Sequence, residues 1–308
     1  MNNFEFLPDD FEFVGESQDI HHEVALTVTS FWSDFGKRLR KNLGACIGII
    51  VIGLIVLMAI IGPHLSNYAY DAVDTSLASI APNTEFPFGT DKLGRDLFVR
   101  VWQGTRISLW VAAAAVVIDL CFGMIYGLIS GYFGGKVDTV MQRIQEIVSS
   151  IPSLVILTLL LVVMKASLFT IILALMLTGW IGMSRITRAQ VLKIKEEEYV
   201  LASKTLGAGS IAIIFKNILP NIFGQLIIMS MFSIPNAIFY EAFLAFVGLG
   251  VPSPQASLGT LINDGFDSIL VTPYMVIIPV IVLAILMLSF NLAADGLRDA
   301  FDPTMKER

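Results

Sequence analysis

The chain has 308 residues, of which 55% are hydrophobic and 15% are charged, and its formal net charge at pH 7 is −6. A soluble domain carries about 25% charged residues. This composition, together with a mean hydropathy of +0.75, excludes a soluble globular protein and indicates a polytopic membrane protein.

Residues 1–42 are predicted to form a cytoplasmic tail that ends in an interfacial helix. Residues 4–13 interleave acidic and aromatic side chains. This pattern is typical either of a mobile tail or of a tail whose phenylalanines dock on a partner, because disordered tails are usually poor in aromatics. From Val24 to Lys41 we expect an amphipathic helix that basic side chains anchor at the membrane surface. About forty residues precede the first apolar span, so we expect no cleaved signal peptide.

Six apolar segments are long enough to cross a bilayer. A bilayer core of about 30 Å requires about twenty helical residues, and backbone that faces lipid must be helical. We therefore expect an all-α polytopic membrane protein with six transmembrane helices, at residues 43–65, 107–131, 147–165, 168–184, 222–250 and 273–295. Pro235, Asn236 and Glu241 interrupt the fifth span and predict a break or a strong tilt.

The basic residues predict the orientation of the chain. When both termini are placed in the cytoplasm, fifteen of the 20 lysines and arginines fall in cytoplasmic segments. The others, which fall outside, are Lys92, Arg95, Arg100, Arg106 and Lys165. Cytoplasmic segments of membrane proteins carry the excess of basic residues. We therefore expect both termini in the cytoplasm, with residues 299–308 as a cytoplasmic tail.

Residues 66–106 are predicted to form an extracytoplasmic loop, and its second half is dense in glycines and charges. Glycines at positions 89, 94 and 104 are interspersed with Asp91, Arg95, Asp96 and Arg100. Charges of both signs at this spacing favour charge-assisted pairs within a folded turn. We interpret this segment as a structural rim rather than as a ligand contact.

Polar side chains within the spans are candidates for a pathway through the membrane. Asp119 and Glu241 fall inside predicted spans, where an ionisable group is costly and usually faces a cavity or a partner. Glu241 either lines a pathway or braces a helix against a partner chain. Asn236 and Asn291 are expected to hydrogen-bond between helices, and Asn236 is a further candidate for the pathway. Small residues that indicate close helix packing recur on the second span; they are Gly123, Gly127 and Gly131.

The sequence offers no constellation for covalent chemistry. Cys46 and Cys121 fall in predicted spans without a metal-ligating neighbour, so we expect a structural role for both. The histidines at positions 21, 22 and 64 do not form a zinc or catalytic constellation, and the sequence contains no P-loop. We expect no metal site, no catalytic residue and no cofactor site on this chain.

A polar segment, residues 185–221, separates the fourth and fifth spans on the predicted cytoplasmic side. Residues 186–206 lack Gly and Pro and are rich in helix-forming residues. Gly207 is expected to close this helix in the left-handed conformation. Ser210 is expected to cap a second helix, and Pro220 to stop it. The pattern predicts two helices joined by a tight, exposed turn.

The same segment carries a family motif. Residues 201–207 read L-A-S-K-T-L-G and residues 217–220 read N-I-L-P. This resembles the motif E-A-A-x-x-x-G-x9-I-x-L-P of the membrane subunits of type I ABC importers, with Leu201, Ser203 and Asn217 as departures. In that family the turn region is a coupling helix that sits in a groove on the ATPase subunit. The resemblance implies a coupling role for Leu201, Ala202, Ser203, Lys204, Thr205, Leu206, Gly207, Ala208, Gly209 and Pro220. Because Leu replaces Glu at position 201, docking should depend on shape and apolar contact.

Two further segments resemble the peptide and nickel branch of these importers, and within it the C-type permease. Residues 88–109 resemble F-G-T-D-x-x-G-R-D-x-x-S-R-x-x-x-G-x-R-x-S-L, with Val99 in place of Ser. Residues 241–252 resemble E-x-x-L-S-F-L-G-L-G-x-x-P, with Ala245 in place of Ser, and Leu258 stands where the family usually has Trp. The signature positions of the extracytoplasmic segment are Gly89, Thr90, Asp91, Gly94, Arg95, Asp96, Arg100, Gly104 and Arg106.

The resemblance implies that residues 107–298 form a permease core, half of the translocation pathway of an ATP-driven importer in a bacterial plasma membrane. The implied partners are a homologous second permease, two ATPase subunits that bind ATP and Mg, and an extracytoplasmic peptide-binding protein. No nucleic-acid partner is expected.

The expected substrate is an oligopeptide, because the acidic, aromatic N-terminal extension resembles that of oligopeptide permeases of Gram-positive bacteria. Nickel or another small solute is the alternative within the family. From other classes, the alternatives are a secondary transporter or channel that uses Asp119 and Glu241, and an intramembrane enzyme.

Overall fold

The structure is a computed structural model, and it describes residues 31–301. Within this range the chain is helical, and no strand forms beyond an isolated bridge between Thr90 and Asp96. The helices are α1 (Phe31–Lys41), α2 (Leu43–Ile61), α3 (Leu97–Phe133), α4 (Gly135–Ser149), α5 (Ser153–Met164), α6 (Leu168–Ile194), α7 (Glu198–Thr205), α8 (Ser210–Ile213), α9 (Leu219–Leu244), α10 (Leu258–Phe266) and α11 (Tyr274–Phe301). The predictions for the aromatic tail, the start of the interfacial helix and most of the C-terminal tail lie outside the described residues.

The all-α membrane architecture is confirmed, with one change in how the spans are built. Helical segments long and apolar enough to cross a membrane are Leu43–His64, Leu97–Phe133, Leu168–Ile194, Ser210–Leu249 and Tyr274–Phe301. A sixth span is obtained when α4 and α5, which meet at an angle of 74°, are counted together.

The span expected at residues 147–165 is bent. It consists of the end of α4, a bend near Pro152, and α5, which has 12 residues. At about 1.5 Å per residue, α5 alone is too short for a bilayer core of about 30 Å. Pro152 has no backbone N–H and disfavours helix at the residue before it, which accounts for the bend.

Two helices extend beyond the apolar segments that predicted them. α3 begins at Leu97 rather than at residue 107, because the side chain of Asp96 accepts a hydrogen bond from the backbone N–H of Phe98 and caps the helix. α6 continues to Ile194 rather than ending at residue 184. Both extensions carry polar residues that have partners elsewhere in the chain.

The Ser210–Leu249 segment corrects two predictions and places the break expected in the fifth span at another residue. Pro220 does not stop a helix; it lies in the first turn of α9, where a missing N–H is tolerated. Ser210 makes no capping hydrogen bond, and the residue at the cap position is Gly209. The helix also passes Pro235 without a break, and the backbone leaves helical geometry only at Gly248, where φ is +85°.

The pairing of α3 with α6 forms the centre of the bundle. A Cβ atom at Gly123 would lie 2.6 Å from the carbonyl oxygen of Trp180, and one at Gly127 would lie 2.5 Å from that of Ser184. Gly131 is packed in the same way against Val191. The prediction that these glycines allow close helix packing is confirmed.

Candidate functional site

The predicted cytoplasmic turn has a well-defined backbone geometry. α6 ends at Ile194, a short connection leads to α7, and α7 ends at Thr205, so the expected single helix over residues 186–206 is in fact two. The N–H of Gly207 donates to the carbonyl of Lys204 (3.0 Å), and that of Ala208 to the carbonyl of Ser203 (3.1 Å). With φ of +84° at Gly207, this is a Schellman motif. The predicted left-handed conformation of Gly207 is confirmed.

One side of α7 is buried and the other is exposed and partly apolar. Val200 is 3% exposed and packs in a cluster of buried apolar side chains that includes Ile213. Leu206, at the turn, is 89% exposed, and Leu201 is 49% exposed. Except for the half-buried Ser203, the predicted coupling residues between 201 and 209 are exposed and form one continuous stretch. The exposed Pro220 lies apart from them, on α9.

Two departures from the family motif contact each other. The side-chain amide of Asn217 donates a hydrogen bond to Oγ of Ser203 at 2.7 Å, and Ser203 Oγ donates to the carbonyl of Tyr199. The bond joins α7 to the helical segment that follows the turn. In the sequence, Ser203 and Asn217 are two separate departures from the family motif. Their spacing alone does not predict that the two side chains form a hydrogen bond.

An open groove of about 420 Å³ lies between α7 and the end of α3. Its lining combines aromatic and apolar side chains, such as Tyr132 and Leu201, with the basic side chains of Lys195 and Lys204. Lys195 Nζ also donates to the carbonyl of Gly131 at 3.0 Å. Glu196 also lines the groove, so the recess combines apolar side chains with charged side chains of both signs.

The segment predicted to be extracytoplasmic contributes three buried charges, Asp91, Arg95 and Arg100, which meet the half-exposed Asp264 of α10. We call these four residues the extracytoplasmic cluster, after the predicted side of the membrane. Arg95 Nε lies 2.6 Å and Arg100 Nε 3.4 Å from Oδ2 of Asp91. Asp264 Oδ2 lies 3.8 Å from Arg95 Nη2 and 3.5 Å from Arg100 Nη2. Burial raises the pKa of the Asp264 carboxyl, and the two arginines oppose that rise. The predicted charge-assisted pairs are present.

Asp264 is not predicted from the sequence as a member of this cluster. This residue lies on α10, far along the chain from the two arginines. The signal that could have found it is the use of Asp96 as the cap of α3, which leaves Asp91 as the one carboxylate within residues 88–106 to pair with Arg95 and Arg100.

The remaining signature residues connect this cluster to its surroundings. Thr90 Oγ1 accepts a hydrogen bond from the N–H of Ile80, and Gly89 and Gly94 have φ of +76° and +73°. Gly104 packs against the backbone of Ser257. At the end of α2, Arg106 donates to the carbonyls of Ala59 (3.0 Å) and Ile60 (3.1 Å). All of these contacts are internal to the chain.

The three candidate pathway residues lie at separate places. Glu241 has no exposed surface, and its Oε2 accepts a hydrogen bond from Ser108 Oγ at 2.7 Å. Asp119 is 8% exposed and packs against Gly179. Asn236 is exposed, and its amide donates to the carbonyl of Phe232 in its own helix, so the interhelical bond expected of it is not formed. A pathway role for these residues stays a prediction.

No group of His, Cys, Asp or Glu side chains between residues 31 and 301 is arranged to hold a metal ion.

Two family patterns match the chain. The family described as "Binding-protein-dependent transport system inner membrane component" matches residues 123–307, and that described as "N-terminal TM domain of oligopeptide transport permease C" matches residues 30–82. The chain belongs to the family of binding-protein-dependent transport system inner membrane components. The resemblance to C-type permeases of ABC importers is thereby confirmed, and this permease is a multi-pass membrane protein.

Relatives of this permease carry names that specify peptides. It is 47% identical to the oligopeptide transport system permease protein OppC of Bacillus subtilis (strain 168), over 90% of this chain and 91% of the relative. It is 45% identical to the dipeptide transport system permease protein DppC of the same organism, over 90% of this chain and 87% of the relative. OppC of Escherichia coli (strain K12) is 40% identical, over 89% of this chain and 91% of the relative.

Solved structures agree on the fold. A chain of the inward-facing MetNI methionine ABC transporter matches with a TM-score of 0.51 and 21% identity, over 67% of this permease and 96% of that chain. A chain of an amino acid ABC transporter matches with a TM-score of 0.50 and 16% identity, over 63% of this permease and 91% of that chain. At these identities the comparison concerns the fold, which is that of type I importer permeases.

Proposed function

We propose that this permease forms half of the translocation pathway of an ATP-driven, binding-protein-dependent importer of oligopeptides in a bacterial plasma membrane. In this proposal both termini are cytoplasmic, and α7 with the turn at Gly207 is the coupling helix that receives the movement of an ATPase subunit. The observation that carries the coupling role is the exposed apolar side chain of Leu206 on a turn whose backbone is held by specific hydrogen bonds. The names of the relatives support the substrate class.

A short helix can transmit force only if it is held at both ends and along one side. The Schellman motif holds the C-terminal end of α7, and the Ser203–Asn217 hydrogen bond joins it to the helix that follows. Burial of Val200 holds its inner side. When ATP, with Mg, binds to the partner subunits and brings them together, the two states of the importer would differ in their contacts with α7, as any driven conformational change requires.

The chemistry of the exposed surface indicates what would bind it. Leu206 and Leu201 offer apolar area, and the groove beside α7 is lined by Lys195, Lys204 and Glu196. The matching ATPase surface would be an apolar groove flanked by charged side chains of both signs. This permease itself would hold no ATP, and the extracytoplasmic peptide-binding protein and the second permease would complete the importer.

The extracytoplasmic cluster would serve this function as a structural rim. Its charged side chains form ion pairs with one another within the chain, and Arg100 is 2% exposed. Buried arginines with two carboxylate partners are costly to separate, so the cluster would keep the entrance region rigid while the helices move.

The test is the substitution Leu206→Asp in the importer assembled from both permeases, both ATPases and the binding protein. Burial of a leucine contributes about 1.5–3 kcal/mol, so a carboxylate at this position should weaken ATPase binding by at least about tenfold. Co-purification of the ATPase subunits and ATP-dependent uptake of a labelled pentapeptide should fall together.

The matched control is Leu270→Asp, because Leu270 is 97% exposed but lies in the turn between α10 and α11, on the opposite side of the membrane in this proposal. Its ATPase co-purification should not change. If Leu206→Asp also retains full co-purification, the coupling role of α7 is wrong. Uptake of nickel rather than of the peptide would contradict the substrate class.

A further inference from the structure

α4 packs on the rest of the permease by its polar side. Gln145 has no exposed surface, and Asp138 and Gln142 are half-buried. The opposite side carries exposed β-branched residues; they are Val137, Val140, Ile144 and Ile147. This is the reverse of a helix in a soluble protein, so polar contacts rather than an apolar seam attach α4 to its neighbours.

Three side-chain pairs, which we call the α4–α6 polar contacts, join these two helices. Arg188 donates from Nε and Nη2 to the two oxygens of Asp138, at 2.6 Å each. Gln145 Nε2 donates to Ser184 Oγ. Arg185 Nη2 donates to Ser149 Oγ at 3.2 Å.

The first pair is the strongest of the three. A bidentate pair between arginine and a carboxylate combines charge with two aligned hydrogen bonds. Ser130 of α3 also donates to Asp138, and Gln142 Nε2 donates to Ser130 at 3.0 Å. The Asp138 and Arg188 side chains are 17% and 30% exposed, so solvent screens this pair only in part.

The position of these contacts connects them with α7. Arg188, Arg185 and Ser184 lie in the last part of α6, which ends at Ile194, and α7 begins at Glu198. Displacement of α7 therefore acts directly on the part of α6 that holds α4, through the short connection between the two helices. Apolar packing against α6 would hold α4 weakly in a bilayer, because lipid chains offer an equivalent apolar environment.

We propose that the α4–α6 polar contacts make α4 move with α6, so that displacement of α7 is carried to α4 and, through the bend at Pro152, to α5. Asp138 and Arg188 are positioning residues in this proposal. It rests on the proposed function, in which α7 receives the movement of the ATPase.

The first test exchanges the charges of the pair in the complete importer in proteoliposomes. Asp138→Arg and Arg188→Asp, each alone, place like charges against each other and should lower the number of peptides imported per ATP hydrolysed by at least about tenfold. The double exchange restores opposite charges and should recover that ratio to within about threefold. Co-purification of the ATPases should be unchanged in all three variants, which separates this result from a failure of α7 docking.

The matched control lies on the same helix. Arg143 and Glu146 form an ion pair 2.8 Å long on the exposed side of α4, with side chains 75% and 59% exposed. Arg143→Glu, Glu146→Arg and the double exchange should leave peptides per ATP unchanged. The proposal is overturned if the Asp138 and Arg188 single variants import normally, or if the double exchange inserts and assembles but stays uncoupled.

A second test does not depend on charge. Gln145→Cys and Ser184→Cys, joined by a short bifunctional thiol reagent, would fix α4 to α6 covalently. If the two helices move together, uptake after cross-linking should stay within about twofold of the unlinked double variant. Loss of uptake on cross-linking, with ATPases still bound, would mean that α4 slides on α6 and would overturn the proposal.

Discussion

The extracytoplasmic cluster and the α7 turn both depart from the usual distribution of side chains, in which charges are exposed and apolar groups are buried. The cluster buries charges, and the turn exposes an apolar side chain. In the cluster, Arg100 is 2% exposed and its guanidinium lies near Asp91 and Asp264. At the turn, the apolar side chain of Leu206 is 89% exposed. Buried charges that have internal partners are costly to separate, whereas the exposed Leu206 belongs to the surface that we propose for another protein. The two regions are therefore expected to respond differently to substitution.

The largest effect is expected where a buried charge loses its partner. Arg100→Ala removes the guanidinium nearest to Asp264 and also the hydrogen bond to the carbonyl of Tyr70. The free energy of unfolding in detergent should fall by about 3 kcal/mol, the low end for a broken buried pair, because Asp264 is half exposed. Lys92→Ala, which removes an exposed contact with Asp267, should cost less than about 1 kcal/mol. Equal costs for the two variants would contradict the rigid-rim interpretation.

At the α7 turn the largest backbone effect is expected at Gly207. Gly207→Ala places a Cβ atom on a residue with φ of +84° but with no atom within 4 Å, so the cost is conformational and about 1 kcal/mol. Amide hydrogen exchange at Ala208 should become about fivefold faster. Gly209→Ala, at φ of −68° and also in open space, should leave the exchange rate unchanged.

The Ser203–Asn217 hydrogen bond should contribute to the free energy of unfolding an amount comparable to, or smaller than, the cost of Gly207→Ala. Ser203→Ala and Asn217→Ala each remove one partner of a hydrogen bond of 2.7 Å, and a double-mutant cycle on the free energy of unfolding should give a coupling of about 0.5–1.5 kcal/mol. Additive single effects would mean that the bond does not hold α7 in place.

The smallest effect is expected from the titration of Asp264. Its pKa in the folded chain is raised above the ordinary value by burial. A raised pKa in the folded state means that the stability contribution is present below the ordinary value and is lost as the pH rises through the folded pKa. The stability of the wild type relative to Asp264→Asn should therefore decrease as the pH rises from about 3 to 7, by less than about 1 kcal/mol. If the stability of the wild type relative to Asp264→Asn instead increases over this pH range, the two arginines lower the pKa of Asp264 by more than burial raises it.

Local sequence signals identified the turn better than the ends of the helices. Gly207 was predictable because a glycine that follows a helical segment rich in Lys, Glu and Leu favours the left-handed conformation. Pro220 was misread because a proline interrupts the interior of a helix but is accepted in its first turn, and position within the helix is not evident from sequence. α3 begins earlier than its apolar segment because Asp96 caps it and Arg100 is paired.

The membrane class, the approximate spans, the left-handed turn at Gly207 and the motifs that place the chain in its family can all be predicted from the amino-acid sequence. These features depend on composition, on apolar length and on spacing within short segments. The pairing of polar groups across the fold is seen only in the folded chain: Asp264 meets Arg100, Asn217 meets Ser203, and Asp138 meets Arg188. The physical reason is that such pairs join residues on different helices, so they depend on how the helices pack against one another rather than on local propensity.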